Sequence, residues 1–500
     1  MQFAGYAIFA AKIVSVATGF FFQFMLARAL LGNPATSPQY GIYFNIADMM
    51  FYFTMFSSVI PFWVMRYFAR GKEGAVKTGL AMSAIISIIS TVIYLALIPF
   101  ILPALNITVD FLPIYLAAAV QITELISIGI YEALLQAYKP HAVGYGLLFQ
   151  QVCKVAVGYV LIVQLGQPLA GAVVAAGISL GVQVIYYQRL LAHELKQRVH
   201  WDYVKVWLKS SLANIYYVVG SQLALAVFIL LLIFGTKDGR GIYGAAAQIA
   251  SIITYSSFLA FALYPKLLAE KKREDITTSL KMVFMFALPM AAGAIALADS
   301  YMMLLSPENP AEFTLYQQGY IVIIVLALDA LITVAGTLFS SVVYGFESVD
   351  ENERITFRQL IKSKLFLAFT LPYVQAALTL PVTYYVLTTY ALNQPLQAAF
   401  SVCVISTVVH VITFAMLYAI VRKMTTVAIP WKSIAKYLFA SIVMGLVLFL
   451  PQPHPNRIST TLIMTAVGGV VYLAVLWAID KEAREFPRNV VREVRKILKR

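Results

Sequence analysis

The feature that most constrains this chain is a near-continuous succession of apolar runs, each long enough to cross a bilayer, joined by short polar connections. Fourteen can be marked, at roughly 4–31, 41–67, 78–101, 111–137, 143–165, 168–190, 210–234, 241–268, 282–305, 317–345, 365–390, 396–421, 434–451 and 459–479. Runs of about 18–29 residues, at ~1.5 Å per residue, span a hydrocarbon core of ~30 Å, the longer ones by tilting. In lipid every backbone polar group needs a partner inside its own helix or in a closed barrel. The alternating strands of a barrel are missing, so an all-α, polytopic membrane protein with 14 transmembrane helices is expected. Only 12% of the 500 residues are charged, too few to cover a soluble fold of this length.

Lys and Arg outnumber Asp and Glu 37 to 23. In a soluble chain that excess would suggest nucleic acid; in a membrane protein it collects on the cytoplasmic side, and no nucleic-acid partner is expected. With the amino end inside, all but six of the 37 cations fall on inner loops and the tail. Lys237, Arg240 and Arg457 fall on outer loops, and Lys12, Arg28 and Lys154 fall within spans. The bias predicts a multi-pass protein of the cell membrane with both termini cytoplasmic. Asn106-Ile107-Thr108 is a glycosylation sequon on the predicted outer side.

The chain also repeats itself. Tyr40-Gly41 precedes a span that meets Pro61 and then the basic group Arg66, Arg70, Lys72 and Lys77. Roughly 203 residues later Tyr243-Gly244 opens a span that meets Pro265 and then Lys266, Lys271, Lys272 and Arg273. Residues 191–209 lie where a linker between two lobes belongs. The expected organisation is a first lobe at 1–190, a cytoplasmic linker at 191–209, a second lobe at 210–421, two extra spans within 422–479 and a basic cytoplasmic tail at 480–500. Six spans is an even number, so the lobes would be related by a pseudo-two-fold axis along the membrane normal. The tail alternates Val490, Val491, Val494, Ile497 and Leu498 with Lys and Arg, a pattern that suits an anionic inner leaflet or a solvated end equally well.

Several chemistries are excluded by motif. No phosphate-binding loop ends in Gly-Lys-Ser/Thr, no His-Glu-x-x-His metal pair occurs, and the two cysteines, Cys153 and Cys403, lie in apolar runs. Gly177-Ile178-Ser179-Leu180-Gly181 matches a nucleophile elbow by letter, but mid-span it reads as small-residue helix packing. Neither an enzyme nor a bound cofactor or metal is expected.

The informative residues are the ionisable ones inside spans, each costing ~2.5–3.5 kcal/mol at the bilayer centre unless it faces a partner or a wet cavity. By helical rise Lys12, Lys154 and Glu124 lie ~12, ~16 and ~10 Å from the cytoplasmic side, so the three can meet. Two cations against one carboxylate leave a positive surplus that invites an anion. Arg28 and Asp48 lie toward the outer face and are expected to pair. Asp329 and His410 lie near the midplane, where an imidazole, titrating near neutrality, suits either ion coupling or a plain interhelical hydrogen bond. Polar stripes at helical spacing accompany them: Lys12, Ser15, Gly19 and Gln23; Gln121, Glu124 and Ser127; Gln150, Lys154 and Gly158; Asn214, Tyr217 and Ser221; Asp329, Thr333, Gly336 and Ser340. Such stripes line watery paths or hold helices together.

Leu26-Ala27-Arg28-Ala29-Leu30-Leu31-Gly32, followed by Gln39-Tyr40-Gly41, resembles the amino-terminal signature of polysaccharide flippases. These are part of the multidrug/oligosaccharidyl-lipid/polysaccharide exporter superfamily. Lys12 stands where that family often has a basic residue. Asn33 to Pro38 lengthen the turn and remove the family's acidic pair, so no role for those carboxylates carries over. The resemblance implies alternating-access export of a polyprenyl- or dolichyl-(di)phosphate-linked saccharide. Lys12, Arg28, Lys154, Gln23, Gln150 and Glu124 are the expected substrate-binding residues, and Asp329, His410 and Asp48 the expected ion-coupling residues. Na⁺ or H⁺ is the expected antiported ion, and glycan-assembly enzymes are the expected protein partners. A cation-coupled multidrug exporter of the same superfamily is the alternative. A glycan polymerase would need a sizeable outer loop, and a non-transporting assembly partner stays open.

Overall fold

The computed structural model describes residues 2–31, 33, 35–69, 71–192, 197–260, 272–305, 314–346, 363–450, 458–480 and 484. Among these the protein is all-α, with no strand. Twelve helices are long and apolar enough to cross a membrane. They match the third to fourteenth expected spans one for one. The first is helix α1 (Gln2–Leu31), of which Thr18–Leu31 is apolar among the described residues. The second comes in pieces: α2 (Pro38–Phe53), a 3-10 turn (Met55–Ser58) and α3 (Val59–Ala69).

The break in the second span has a local cause. Pro61 lacks an N–H, and its ring crowds the carbonyl four residues earlier, so a regular helix cannot run through Ser57. The chain tightens into the 3-10 turn just before it and restarts at Val59. Other spans have irregular segments too. Tyr159–Gln164 is π-helical, and Tyr255–Ala260 is 3-10.

The helices group into two compact units, Ala11–Gly244 with Phe369–Val402, and Met1–Ala10 with Ala245–Ala368 and Cys403–Arg500. In the first unit α4 (Ala75–Ala104) and α5 (Leu112–Tyr138) pack through Tyr94, Ile98, Leu102, Tyr115 and Ile122, all buried. Two buried tyrosine hydroxyls bond within this pack: Tyr94 Oη donates to Tyr115 O at 2.8 Å, and Tyr115 Oη to Asn45 Oδ1 at 2.6 Å. Each such bond contributes only ~1 kcal/mol net, but leaving it unmade costs more. Helices α6 (Pro140–Gly158) and α7 (Pro168–Leu190) complete this group.

The expected linker carries a short helix, α8 (Trp201–Ser210). Its inner face plants Trp207, fully buried, in a cluster with Ile60, Val64 and Leu134. Two further bonds hold the linker down: Gly74 N–H donates to Gln197 Oε1 at 2.6 Å, and His200 N–H to Thr78 Oγ1 at 2.8 Å. The seventh span is α9 (Leu212–Leu225) and α10 (Val227–Phe234), and the eighth begins as α11 (Thr236–Thr254). The helix Lys364–Thr389 stacks Tyr373 on Tyr216 of α9, with ring centroids 4.4 Å apart.

In the second unit the helices Arg273–Ala296, Trp431–Phe449 and Ile458–Ile479 enclose a core of Met285, Tyr437, Met444, Tyr472 and Leu476. The start of Trp431–Phe449 and the end of Ile458–Ile479 are tied by Lys436 Nζ to Asp480 Oδ1 at 3.0 Å. Arg70, Pro265, Lys266, Lys271 and nearly all of the basic tail lie outside the described residues.

Candidate functional site

The first unit holds a cavity of about 650 Å³. Its wall is built by α2, the 3-10 turn, α5, α6, α7 and α9. Thr54, Met55 and Ser57 of the broken segment line it, as expected if irregular backbone at membrane depth survives only beside a cavity or within protein. The polar lining is Tyr43, Gln121, Gln150, Lys154, Tyr217, Ser221 and Gln222 with those turn hydroxyls, and no carboxylate is among the described lining residues.

Lys154 is held by aromatic groups. Its ammonium lies 4.4 Å from the centroid of the Phe22 ring and 3.5 Å from Tyr43 Oη. A cation over a ring face is stabilised by ~0.5–2 kcal/mol and keeps its charge available to a ligand. Tyr43 Oη also accepts from Gln23 Nε2 at 3.5 Å, and Gln23 Oε1 accepts from Tyr40 Oη at 3.3 Å. Lys154, Tyr43, Gln23 and Tyr40 thus form one chain of contacts, with Gln23 almost fully buried behind the cavity wall.

Glu124 does not reach Lys154. Its carboxylate turns toward α7, where a Cβ placed on Gly181 would lie 3.0 Å from Oε1. Its other oxygen, Oε2, is buried without a hydrogen-bond partner. The expected meeting of Lys154 with Glu124 is therefore replaced by a cation with no described counter-ion. Gly177 and Gly181 act as the small face read from sequence, admitting Gln121 and Glu124 of α5. Gln121 Nε2 donates to Val173 O at 3.0 Å.

The Lys12 side chain lies outside the described residues. Phe22 sits against Lys154 and Gly158, and Lys12 precedes Phe22 by ten residues, which is ~15 Å along α1.

Asp48 is not paired with Arg28, as the sequence led us to expect. Both of its oxygens go to Arg240: Nε to Oδ2 at 2.8 Å and Nη2 to Oδ1 at 2.7 Å. The pair is buried, with side chains 6% and 11% exposed. Arg240 is further flanked by Phe228 and Phe44, 4.7 and 5.3 Å from their centroids. Arg28 instead lies over Phe24 at 4.5 Å.

Arg240 was assigned to an outer loop because Thr236-Lys237-Asp238-Gly239-Arg240 reads as polar. The structure makes these residues the opening turns of α11, so Tyr243 lies two turns inside the helix rather than opening it. Around them α2 and α11 interlock. Ser37 Oγ donates to Asp238 Oδ1 at 2.6 Å. A Cβ on Gly41 would strike the Lys237 backbone, and one on Gly244 would strike the Phe44 ring.

No family model matches the chain, and no curated protein sequence matches it. Solved structures do. The lipid II flippase MurJ in an inward closed conformation aligns over 97% of this chain and 99% of its own, with a TM-score of 0.64 and 15% identity. The chain has the MOP-superfamily fold. An inward-facing multidrug resistance MATE family transporter of that superfamily aligns over 81% of this chain and 95% of its own, at TM-score 0.59 and 12% identity. A MOP superfamily transporter from Pyrococcus furiosus, described by a binding pocket of reverse polarity, aligns over 85% and 97% at TM-score 0.58 and 14% identity.

On this MOP fold the predicted residues separate into three places. Lys154 and Gln150 line the cavity, with Gln23 linked to it through Tyr43 and Glu124 beside its wall. Asp48 is committed to Arg240, away from Arg28. Asp329 and His410 meet in the second unit, Oδ1 to Nδ1 at 2.6 Å, with side chains 14% and 27% exposed. Tyr43, Gln222 and Arg240 were not singled out as site residues. Tyr43 and Gln222 were hidden because hydroxyls and carboxamides carry no charge signal. Arg240 was findable, since a buried carboxylate within a span requires a cation at its own depth.

Proposed function

We propose that this protein is a flippase that moves a polyprenyl- or dolichyl-linked saccharide phosphate or diphosphate from the cytoplasmic to the outer leaflet by alternating access. The observation that carries this reading is the cavity wall of the first unit, where Lys154 faces the space and no described lining residue is acidic. Such a wall attracts an anionic headgroup and repels a cationic drug. The likeness to a lipid II flippase over nearly the whole of both chains supports the same reading. In this scheme Lys154, Gln150 and Gln23 contact or brace the headgroup. The Asp329–His410 pair is the proposed coupling site for Na⁺ or H⁺. With both termini in the cytoplasm, each negative charge exported down an inside-negative potential of 100 mV releases ~2.3 kcal/mol, so the potential itself favours export.

A cation-coupled multidrug exporter is the second reading, favoured by the likeness to a multidrug resistance MATE family transporter. One reconstitution separates the two. Purified protein in vesicles is given a labelled polyprenyl diphosphate saccharide, a labelled polyprenyl monophosphate saccharide and, separately, ethidium. Movement of either lipid to the opposite leaflet, lost in Lys154→Met, supports the flippase. Ethidium movement without lipid movement overturns it.

A further inference from the structure

We infer that the headgroup taken by this cavity carries a single phosphodiester charge: a lipid monophosphate-linked saccharide, not a diphosphate-linked one. The inference rests on the flippase reading. Among the described lining residues Lys154 is the one full charge. Arg240 is neutralised by Asp48, and Arg28 lies over Phe24.

Charge counting then selects the ligand. In a low-dielectric wall an ion without a counter-ion costs several kcal/mol, and paired ions come close to balance. One ammonium matches one phosphodiester. The second charge of a diphosphate diester would find no second cation among the described lining residues.

The rest of the wall is suited to a sugar ring. Gln150 and Gln222 each offer a carbonyl acceptor and an amide donor, the pair of functions that adjacent sugar hydroxyls use. Gln222 Oε1 is buried without a hydrogen-bond partner, an acceptor that an incoming hydroxyl satisfies. Tyr43 and Tyr217 supply ring faces and hydroxyls at the same wall. At about 650 Å³ the cavity is within the ~300–1,000 Å³ range of small-molecule clefts.

The test compares undecaprenyl phosphate N-acetylglucosamine with undecaprenyl diphosphate N-acetylglucosamine on the full chain in nanodiscs. Binding and leaflet transfer are both read. The monophosphate lipid is expected to bind at least about tenfold more tightly. Lys154→Met keeps the packing on Phe22 and should erase that preference, whereas Gln222→Leu should weaken both lipids alike. Equal or tighter binding of the diphosphate lipid overturns the inference and leaves the flippase reading standing. Binding of neither lipid, by protein that still elutes as one folded species, overturns the flippase reading itself.

Discussion

Removing one partner of the Asp48–Arg240 pair should be the most damaging single polar change in the first unit. At 2.7 Å and an effective dielectric of ~20, the gross attraction is about 6 kcal/mol. Most of that is offset by the desolvation of two side chains only 6% and 11% exposed. The net value of the pair is therefore small, and the cost of halving it is large. Asp48→Asn strands a guanidinium between Phe44 and Phe228, and Arg240→Gln strands a carboxylate; each is expected to destabilise by ~3–5 kcal/mol. The double variant removes both charges and should recover much of that loss. The assay is equilibrium unfolding in detergent for the four proteins of the cycle, with a coupling energy of at least ~1.5 kcal/mol expected. Additive single losses would falsify the claim that the two residues act as one buried unit.

Lys154→Met should reduce lipid transfer by at least about tenfold while leaving unfolding within ~0.5 kcal/mol of the parent, because its charge faces a cavity and makes no described ion pair. Asp329→Asn combined with His410→Gln should abolish dependence of transport on a Na⁺ or H⁺ gradient and keep the response to membrane potential; retained gradient dependence moves the coupling site elsewhere. Gly41→Ala should cost ~1–3 kcal/mol, measured by the same unfolding assay, because the new Cβ meets the Lys237 backbone, which cannot rotate away. Glu124→Leu should leave stability unchanged or raise it by ~1 kcal/mol, since it removes a buried oxygen that has no partner.

The spans were legible because hydropathy over twenty residues is a strong, local signal. Their ends were less so. The ninth was expected at 282–305, yet its main helix is Arg273–Ala296, since Arg273, Glu274, Asp275 and Lys281 continue the helix beyond the apolar stretch. Lys237, Asp238 and Arg240 have the polarity of a loop in the same way, yet they open α11. The linker helix α8 escaped notice because ten residues give too few turns for its buried Trp207 face to stand out. In the candidate site the spacing of Gln150 and Lys154 read correctly as one face of one helix. Pairing between helices reads only in part: Asp329 and His410 share a depth and do meet, whereas the partner of Asp48 lies 192 residues away among polar residues that open α11.

The interlock of α2 and α11 bears on how this molecule can move. Any displacement that parts these helices must undo the Ser37–Asp238 bond, the two-pronged Asp48–Arg240 grip and the fit of Phe44 over Gly244 in one event. Half-separated arrangements keep the penalties of the break and none of the contacts, so they are sparsely populated. The opening of this end should consequently behave as an abrupt two-position transition with a threshold, rather than a graded widening.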